Sequence, residues 1–232
     1  MSIPFRNLKR IWHRALNSKK IQIDGIWVTT DPSLVTPTVR RRLFSGEYEA
    51  HERQLIKNIL TDDSIVLEVG TGVGLISIAC RQLAKNGRVV SYEANPSAEK
   101  IIRENYRLNG LKPELEMEAV TVDGKNVDFF IDENILSSSM IDRNRGDNKT
   151  TVKSQKFSEV LEKLQPDTII MDVEGAEVEL LVNHNLSSVE NIVVELHPHI
   201  VGQIAVEKMN IDLRSNGFKP ILNSHKVWLY TR

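Results

Sequence analysis

Four side chains that can transfer protons or bind a metal ion follow two apolar segments in the second half of the chain. Asp172 and Glu174 come directly after one segment, and Glu195 and His197 close the next. A hydroxyl acceptor is a weak nucleophile until a general base or a metal ion assists loss of its proton. Because histidine titrates near neutrality, His197 is the first candidate for that base. Asp172 could orient it, or join Glu195 in binding a divalent metal such as Mg²⁺. Each carboxylate could instead cap a helix, which explains Glu174 as well as catalysis does.

A glycine-rich segment earlier in the chain has the pattern of a ligand-binding turn. Residues 65–69 read as a strand buried on both faces, and a helical pattern begins at Leu75. Between them lies Gly70-Thr71-Gly72-Val73-Gly74. Glycines let the backbone approach a ligand where a Cβ would clash, and the following helix directs free N–H groups towards it. This geometry suits a nucleotide-like ligand.

Three details favour S-adenosylmethionine over NAD as that ligand. The spacing is G-x-G-x-G, and Leu75 stands at the third glycine of the dinucleotide fingerprint. Glu68, two residues before the first glycine, could reach the ammonium group of the ligand directly or through water. Glu93 closes the next apolar segment, about 20 residues past the glycines, where a ribose-binding acid is expected. The alternative is an ordinary tight turn with an incidental surface glutamate.

The alternation of apolar segments predicts the elements that carry these groups. Strands and helices alternate from residue 65, one helix is predicted over 200–216, and a β-hairpin closes the chain. The predicted fold class is α/β, a doubly wound, mostly parallel, seven-stranded Rossmann-like sheet with an antiparallel C-terminal edge hairpin. A further hairpin is predicted around Asp123-Gly124. Because ligands bind beyond the carboxyl ends of the strands, the polar groups described above should meet at one rim of the sheet.

Composition restricts the class of protein. The chain has 232 residues, enough for one α/β domain with its own core. Its 30 Lys and Arg residues balance 31 Asp and Glu residues, so net charge gives no argument for nucleic-acid binding. The single cysteine, Cys80, rules out an internal disulfide framework and fits a reducing cytoplasm. No apolar run has the length of a membrane span or the character of a secretory signal, so a cytoplasmic location is expected.

Residues 1–45 are predicted to form an N-terminal basic helix and extension, and residues 46–232 the main domain. Apolar residues recur at helical spacing from Phe5 to Leu16, and no acidic residue appears before Asp24. The amphipathic helix over residues 5–20 could dock on an anionic membrane surface. It could instead pack on its own domain or on a second subunit of a homodimer.

Several short motifs occur in the order found in the FkbM family of S-adenosylmethionine-dependent methyltransferases, which the chain resembles over residues 46–200. The most distinctive is MDVEGAE. The family commonly has Asp and GAN where this chain has Glu68 and Gly70-Thr71-Gly72, but Glu68 keeps the carboxylate and Thr71 is small. The motifs are GEYEAHE (46–52), VLEVGTGVGLIS (66–77), YEANP (92–96), Ala119-Val120, SSSM (137–140), MDVEGAE (171–177) and VVELHP (193–198).

The resemblance implies a class I methyltransferase fold and assigns roles to particular residues. The cofactor-binding residues would be Glu68, Gly70, Thr71, Gly72, Gly74, Glu93, Ala94, Asn95, Ala119, Val120 and Asp172. The substrate would meet Tyr48, Glu49, Ser138 and Ser139. The catalytic residues would be His197, Asp172, Glu174 and Glu195. Members of the family typically methylate hydroxyls of sugars, glycans or polyketides.

The leading hypothesis is therefore an O-methyltransferase that uses S-adenosylmethionine on a sugar, glycan or related small molecule, without a nucleic-acid partner. The alternatives are an N-methyltransferase acting on protein or nucleic acid, a non-catalytic cofactor-binding scaffold, and an NAD-dependent oxidoreductase. Against the N-methyltransferase, the chain has no Asn/Asp-Pro-Pro-Tyr motif and no basic excess. Against the scaffold, Asp172 and His197 are both present at the predicted rim.

Overall fold

The computed structural model describes residues 16–130, 149–224 and 226–232. Within these residues a seven-stranded, mostly parallel sheet forms the centre of the molecule, with an antiparallel strand pair at its C-terminal edge. The predicted doubly wound, Rossmann-like fold is confirmed.

The described residues contain thirteen strands, of which the central β3, β4, β10 and β11 coincide with apolar segments of the sequence. They are β1 Lys20–Ile23, β2 Ile26–Thr29, β3 Ile65–Val69, β4 Arg88–Tyr92, β5 Glu114–Glu116, β6 Ala119–Thr121, β7 Val127–Phe130, β8 Lys149–Val152, β9 Ser154–Lys156, β10 Thr168–Met171, β11 Asn191–Glu195, β12 Lys219–Ser224 and β13 Val227–Thr231.

The helices connect these strands. They are α1 Pro37–Ser45, α2 Ala50–Ile59, α3 Leu75–Leu83, α4 Glu99–Leu108, α5 Phe157–Leu164, α6 Glu177–Leu181, α7 Pro198–Val201 and α8 Gln203–Ser215, with a 3₁₀ turn at Pro96–Ala98 before α4.

The order of the main sheet is β12-β13-β11-β10-β3-β4-β5. Strands β3, β4, β10 and β11 run parallel, and their register places Val69 beside both Tyr92 and Met171, and Met171 beside Val194. The residues that follow these four positions therefore meet at one rim. That rim contains Gly70, Glu93, Asp172 and Glu195, as the sequence predicts.

Two cores cover the two faces of the sheet, because successive strand residues point to opposite sides. Val66 of β3 packs in the core beneath α3 and α4, whereas Leu67 and Val69 pack in the core beneath α5, α6 and α8. Glu68 points to the first of these faces. Its burial there follows from its position in the strand.

The antiparallel hairpin β1–β2 belongs to the first core. Ile21, Ile23, Ile26 and Val28 are all buried, and they pack in the same cluster as the residues of α3 and α4. The described part of the N-terminal extension is therefore attached to the main core. The domain boundary at residue 45 remains a prediction.

Two local predictions were wrong. No hairpin forms around Asp123-Gly124: β6 pairs in parallel with β9, and β7 pairs with β8. The Asp-Gly turn is instead closed by side chains, since the Gly124 amide donates to Thr121 Oγ1. The helix expected over 200–216 is divided between α7 and α8 at Gly202, whose φ of 85° is incompatible with a continuous right-handed helix.

Some predictions fall on residues outside the described part of the chain. These are most of the basic helix over residues 5–20, together with Ser138 and Ser139. Within the described ranges, no helix has both the length and the apolar character needed to cross a membrane.

Candidate functional site

The glycine loop between β3 and α3 is in close contact with two distant segments. Gly70 has a φ of 87°, and a Cβ there would lie 1.8 Å from the carbonyl oxygen of Asp172. At Gly72, with a φ of 58°, a Cβ would lie 2.7 Å from the hydroxyl of Tyr48. Only glycine satisfies both the left-handed backbone and the close approach. The loop thus forms a tight cradle between the residues that precede α2 and those that follow β10.

Glu93 holds the shape of this cradle. One of its carboxylate oxygens accepts hydrogen bonds from the amides of Thr71 at 2.9 Å and Gly72 at 2.8 Å. The other oxygen accepts from the amide of Asn95 at 2.8 Å. Burial raises the pKa of Glu93. The sequence predicted only that Glu93 binds a ribose, and the structure adds that Glu93 holds the glycine loop in shape. Each oxygen has further lone pairs with which it could accept a ribose hydroxyl.

Glu68 lies beneath the loop, with 1% of its surface exposed. One oxygen accepts a hydrogen bond from the hydroxyl of Thr71 at 3.0 Å, and the other has no hydrogen-bond partner among the described residues. Burial outweighs the nearby Ser91 hydroxyl and raises the pKa of Glu68 to about 7. The carboxylate therefore supports the loop from the core side.

The residues after β4 add another incompletely bonded group. Asn95 is 2% exposed; its side-chain oxygen accepts from the amide of Ser97 at 3.0 Å, and its side-chain nitrogen has no partner among the described residues. Ala94 packs against Ala119, while Val120 is buried in the second core. An unpartnered buried donor beside a cradle with no room for a Cβ fits a polar ligand such as a nucleoside.

The rim beyond β10 and β11 centres on His197. Its Nδ1 lies 3.1 Å from Glu177 Oε1, which also accepts from the His197 amide at 2.7 Å. Its Nε2 faces three further carboxylates, at 3.5 Å from Glu174, 3.5 Å from Glu195 and 3.9 Å from Asp172. The structure therefore brings together the four residues predicted as catalytic, and it adds Glu177.

The charges at this rim differ from those expected of a general base. Burial alone would lower the pKa of His197, but its hydrogen bonds to Glu177 and Glu195 and the charge of Asp172 outweigh burial and raise the pKa to about 10. His197 is thus an imidazolium at neutral pH. The same contacts lower the pKa of Glu195 against the effect of burial.

The pKa of Asp172 shifts upwards, opposite to that of Glu195. Its side chain is 41% exposed, yet Oδ1 is buried and has no hydrogen-bond partner among the described residues. Burial of that oxygen and the neighbouring Glu195 carboxylate raise the pKa of Asp172 well above its usual range. A carboxyl group with a raised pKa is a better proton acceptor than an ordinary aspartate once it is ionised.

A cavity of 330 Å³ opens at this rim. Tyr48 and Asp172 both line it, and both also contact the glycine loop, so the cavity and the cradle share two walls. Glu49, predicted to meet substrate, lies in the cavity wall with one buried oxygen that lacks a partner among the described residues. The lining residues that can carry a charge are Glu47, Glu49, Glu52, Asp172, Glu174 and Glu195, with Arg42 and Lys226 as basic neighbours. Burial raises the pKa of Glu49 well above its usual range and also raises that of Glu52.

Three residues of the rim have metal-ligand character. One ligand atom each from Asp172, Glu195 and His197 lies within 4.8 Å of the others. Glu177 holds the far nitrogen of the imidazole, an arrangement that is common behind metal-bound histidines. The possible divalent metal at Asp172 and Glu195 remains a prediction.

Sequence reasoning missed several residues of this site. Glu177 stands inside MDVEGAE, but nothing in the pattern shows that its side chain is fully buried and bonded to His197. The cavity also includes Glu52 and Arg42, which precede the glycine loop by more than fifteen residues. Helical periodicity identifies the helices that carry these two residues, yet it does not show which of their charged side chains face a cavity.

Comparisons with known proteins find similarity to methyltransferases over part of the chain. A family model described as the TRM5/TYW2 methyltransferase domain matches residues 37–141, less than half of the chain. A putative protein N5-glutamine methyltransferase from Methanocaldococcus jannaschii is 36% identical over 94 residues, covering 39% of this chain and 41% of that protein. The ribosomal protein L11 methyltransferase of Pelobacter propionicus is 34% identical over 77 residues, covering 33% of this chain and 25% of that protein. The matches thus span well under half the length of these relatives.

A solved structure supports the fold. A putative transferase from Pyrococcus horikoshii superposes with a TM-score of 0.50 at 12% sequence identity, covering 98% of this chain and 81% of that chain. This match concerns the fold alone, whereas the family model and the two curated relatives show similarity to methyltransferases over part of the chain.

Two expectations are overturned by the same findings. The resemblance to the FkbM family is wrong, because the matching family model is the TRM5/TYW2 methyltransferase domain. The expectation of a small-molecule or glycan acceptor, with nucleic acid excluded, is also wrong, since the matched relatives are named for macromolecular acceptors. The error came from the short motifs outside the glycine loop, MDVEGAE above all, because the loop itself carries no information on the acceptor.

Proposed function

We propose that the protein transfers a methyl group from S-adenosylmethionine to a nitrogen of a protein, an amine or guanidinium group that enters the acidic cavity. The observation that supports this most is the charge of the cavity wall. Among its lining residues in the described part of the chain, six are Asp or Glu and two are Arg or Lys. A cationic nitrogen is favoured in such a site.

The proposed cofactor site is the cradle beside this cavity. Glycines 70, 72 and 74 and Thr71 would surround the cofactor, and Glu93 and Asn95 would bond its polar groups. Support comes from the close contacts at Gly70 and Gly72 and from the unpartnered nitrogen of Asn95. When bound, S-adenosylmethionine supplies a methyl group on a sulfonium, which an in-line nucleophile can attack.

The rim residues would prepare the acceptor nitrogen. An ammonium or guanidinium has no free lone pair, so a proton must leave before the nitrogen can attack. Asp172 is placed for this task, because its raised pKa makes the ionised carboxylate a stronger proton acceptor and its Oδ1 has no hydrogen-bond partner among the described residues. The proton would move from the acceptor to Asp172 and later to solvent.

His197 would have a positioning role in this mechanism. An imidazolium whose pKa is raised to about 10 does not accept a proton at neutral pH. It would instead balance the negative charge of Glu174, Glu195 and Asp172 and fix their positions. The carboxylates would then stabilise the positive charge as it develops on the acceptor nitrogen.

The relatives support nitrogen and protein as the acceptor class. One is named as a putative protein N5-glutamine methyltransferase and another as a ribosomal protein L11 methyltransferase. An amide is uncharged, and this chain has no Asn/Asp-Pro-Pro-Tyr motif, so the acidic cavity favours an amine or guanidinium over a glutamine amide.

The test is transfer of a labelled methyl group from S-adenosylmethionine to peptides rich in lysine, arginine or glutamine, with tRNA assayed in parallel. Label on the lysine or arginine peptides supports the proposal, and label confined to tRNA or glutamine overturns it. Asp172→Asn should lower kcat about 100-fold with the peptide acceptor. Glu207→Gln, an exposed carboxylate on α8, is the matched control and should retain full activity.

A further inference from the structure

Asn105, a buried residue of α4 outside the rim, bonds to two separate parts of the protein. It is 0% exposed. Its side-chain nitrogen donates to the carbonyl oxygen of Val73 at 2.7 Å, and its side-chain oxygen accepts from the amide of Thr29 at 2.7 Å. Val73 is part of the glycine loop, and Thr29 is the last residue of β2. One amide group therefore joins the cofactor loop to the N-terminal hairpin.

The bond to Val73 fixes the orientation of a peptide group in the cradle. The carbonyl of Val73 and the amide of Gly74 belong to the same planar unit. The Gly74 amide donates to the carbonyl of Thr71 at 2.8 Å, and this bond closes the inner turn of the loop. A rotation of the peptide would therefore break both the bond to Asn105 and the turn.

The bond to Thr29 belongs to a matched pair. One helical turn after Asn105, the side chain of Asn109 accepts from the Trp27 amide at 2.9 Å and donates to the Trp27 carbonyl at 2.7 Å. Four residues of helix rise about 6 Å and two residues of strand about 6.6 Å, so the two asparagines match alternate positions of β2. They occupy the free edge of the hairpin as a neighbouring strand would.

From this geometry we infer that Asn105 is a positioning residue that raises the affinity for S-adenosylmethionine at the proposed cofactor site by fixing the Val73 peptide, and that its bond to Thr29 holds the Asn105 amide in that orientation. Asn109 docks the same hairpin without touching the loop. The hairpin is thus part of the cofactor site although the described residues place none of its side chains in the cradle. The inference concerns only the cofactor and is independent of the acceptor.

The two asparagines provide a matched pair of variants. Asn105→Asp keeps the acceptor for Thr29 but removes the donor to Val73. Asn109→Asp keeps the acceptor for the Trp27 amide and removes the donor to the carbonyls of Trp27 and Asn105, without a change at the loop. Calorimetric titration should show affinity for S-adenosylmethionine about tenfold or more weaker in Asn105→Asp, and within about twofold of wild type in Asn109→Asp. In turnover assays, Asn105→Asp should raise the KM for the cofactor and leave kcat at saturating cofactor close to wild type.

Equal losses of affinity in the two variants, or wild-type affinity in Asn105→Asp, would overturn the inference. The wild-type protein provides a second measurement that does not depend on the folding of a variant. Because coupling is reciprocal, bound S-adenosylmethionine should slow hydrogen exchange at the Thr29 amide more than at the Trp27 amide. Equal changes at the two amides would also rule out the role assigned to Asn105.

Discussion

At the residue scale, Glu68 and Glu93 show how two carboxylates near one loop acquire different tasks. Glu93 accepts three backbone amides, two from the loop and that of Asn95. Among the described residues, Glu68 accepts the Thr71 hydroxyl at one oxygen and has no partner at the other, and it is enclosed by the core. Glu93 therefore shapes the ligand-facing side of the loop, whereas Glu68 lies beneath the loop with a raised pKa.

The raised pKa of Glu68 predicts a pH-dependent stability. The folded pKa is about 7 against an ordinary value of 4.5, so between these values the folded protein retains a proton that the unfolded chain releases. Stability from this group is therefore present at low pH and is lost as the pH rises towards 7, by about 3 kcal/mol. Glu68→Gln should lose this dependence.

Urea unfolding of wild type and Glu68→Gln at pH 5 and pH 8 measures the effect. The difference in unfolding free energy between the two pH values should be smaller in the variant, because other titrating groups contribute equally to both proteins. An identical pH dependence in the two proteins would contradict the raised pKa.

Gly72 allows a residue-level test of the cradle. In Gly72→Ala the new Cβ would lie 2.7 Å from the Tyr48 hydroxyl, and the φ of 58° would be strained as well. The loop must shift to relieve the clash, so affinity for S-adenosylmethionine should fall about tenfold or more. A loss of about 1.4 kcal/mol in binding free energy is enough for a tenfold change. Gly110→Ala separates the two causes, since its φ is 68° but nothing lies within 4 Å of the added Cβ.

The control should lose about 1 kcal/mol of stability with unchanged cofactor affinity. Adding Tyr48→Phe to Gly72→Ala should restore part of the affinity by removing the oxygen that clashes. If calorimetry finds the two glycine variants equally impaired, backbone strain rather than the Tyr48 contact limits the loop.

At the scale of elements, α2 holds the segment that forms one wall of the cavity. Arg53 of α2 is buried, donates to the Tyr48 carbonyl at 3.1 Å and the Gly46 carbonyl at 2.9 Å, and pairs with Asp24 in the turn of the hairpin. One side chain thus connects the hairpin turn to the wall residue that contacts the glycine loop.

Arg53→Met should lower the unfolding free energy by about 3 kcal/mol, since it leaves two carbonyls and a carboxylate without their donor. Lys57→Met is the matched control, because Lys57 pairs with the same Asp24 but is 50% exposed. The control should cost less than about 0.5 kcal/mol in the same denaturant titration. A comparable loss in both variants would assign the effect to the charge of Asp24 alone.

The elements themselves were largely predictable from the sequence, and their pairings less so. Continuous apolar segments identified β3, β4, β10 and β11, because buried parallel strands lack polar alternation. The Asp123-Gly124 turn was misread as a hairpin since the pairing of β6 with β9 depends on residues more than thirty positions apart. Local turn chemistry cannot reveal such a partner.

At the scale of the whole molecule, the cofactor half of the site was more predictable than the acceptor half. The glycine loop and Glu93 are local and keep a fixed spacing, so their types identify the ligand class. The acceptor cavity combines Glu49 and Glu52 with Asp172 and Glu195, and its acidic character becomes evident only when the chain is folded. The sugar hydroxyl was expected because the family resemblance implied it, and the overall composition did not reveal the local acidic charge.

The charge of the cavity predicts how divalent cations act on the whole reaction. If the carboxylates receive a cationic acceptor, Mg²⁺ should compete with it, raising the KM of the peptide acceptor and leaving kcat unchanged. Chelation with EDTA should leave activity intact. Steady-state kinetics over millimolar Mg²⁺ would distinguish this from a metal at Asp172, Glu195 and His197, for which EDTA should abolish turnover.

The contacts of the glycine loop also determine when a newly made chain can use its cofactor. Gly70 lies against the carbonyl of Asp172, and Gly72 against the hydroxyl of Tyr48, so the cradle has one wall made early in synthesis and one made about a hundred residues later. During translation, a chain that has emerged only through α4 has the loop but lacks the opposite wall. If the cradle binds S-adenosylmethionine as proposed, the cofactor should stabilise the chain only after β10 has joined the sheet.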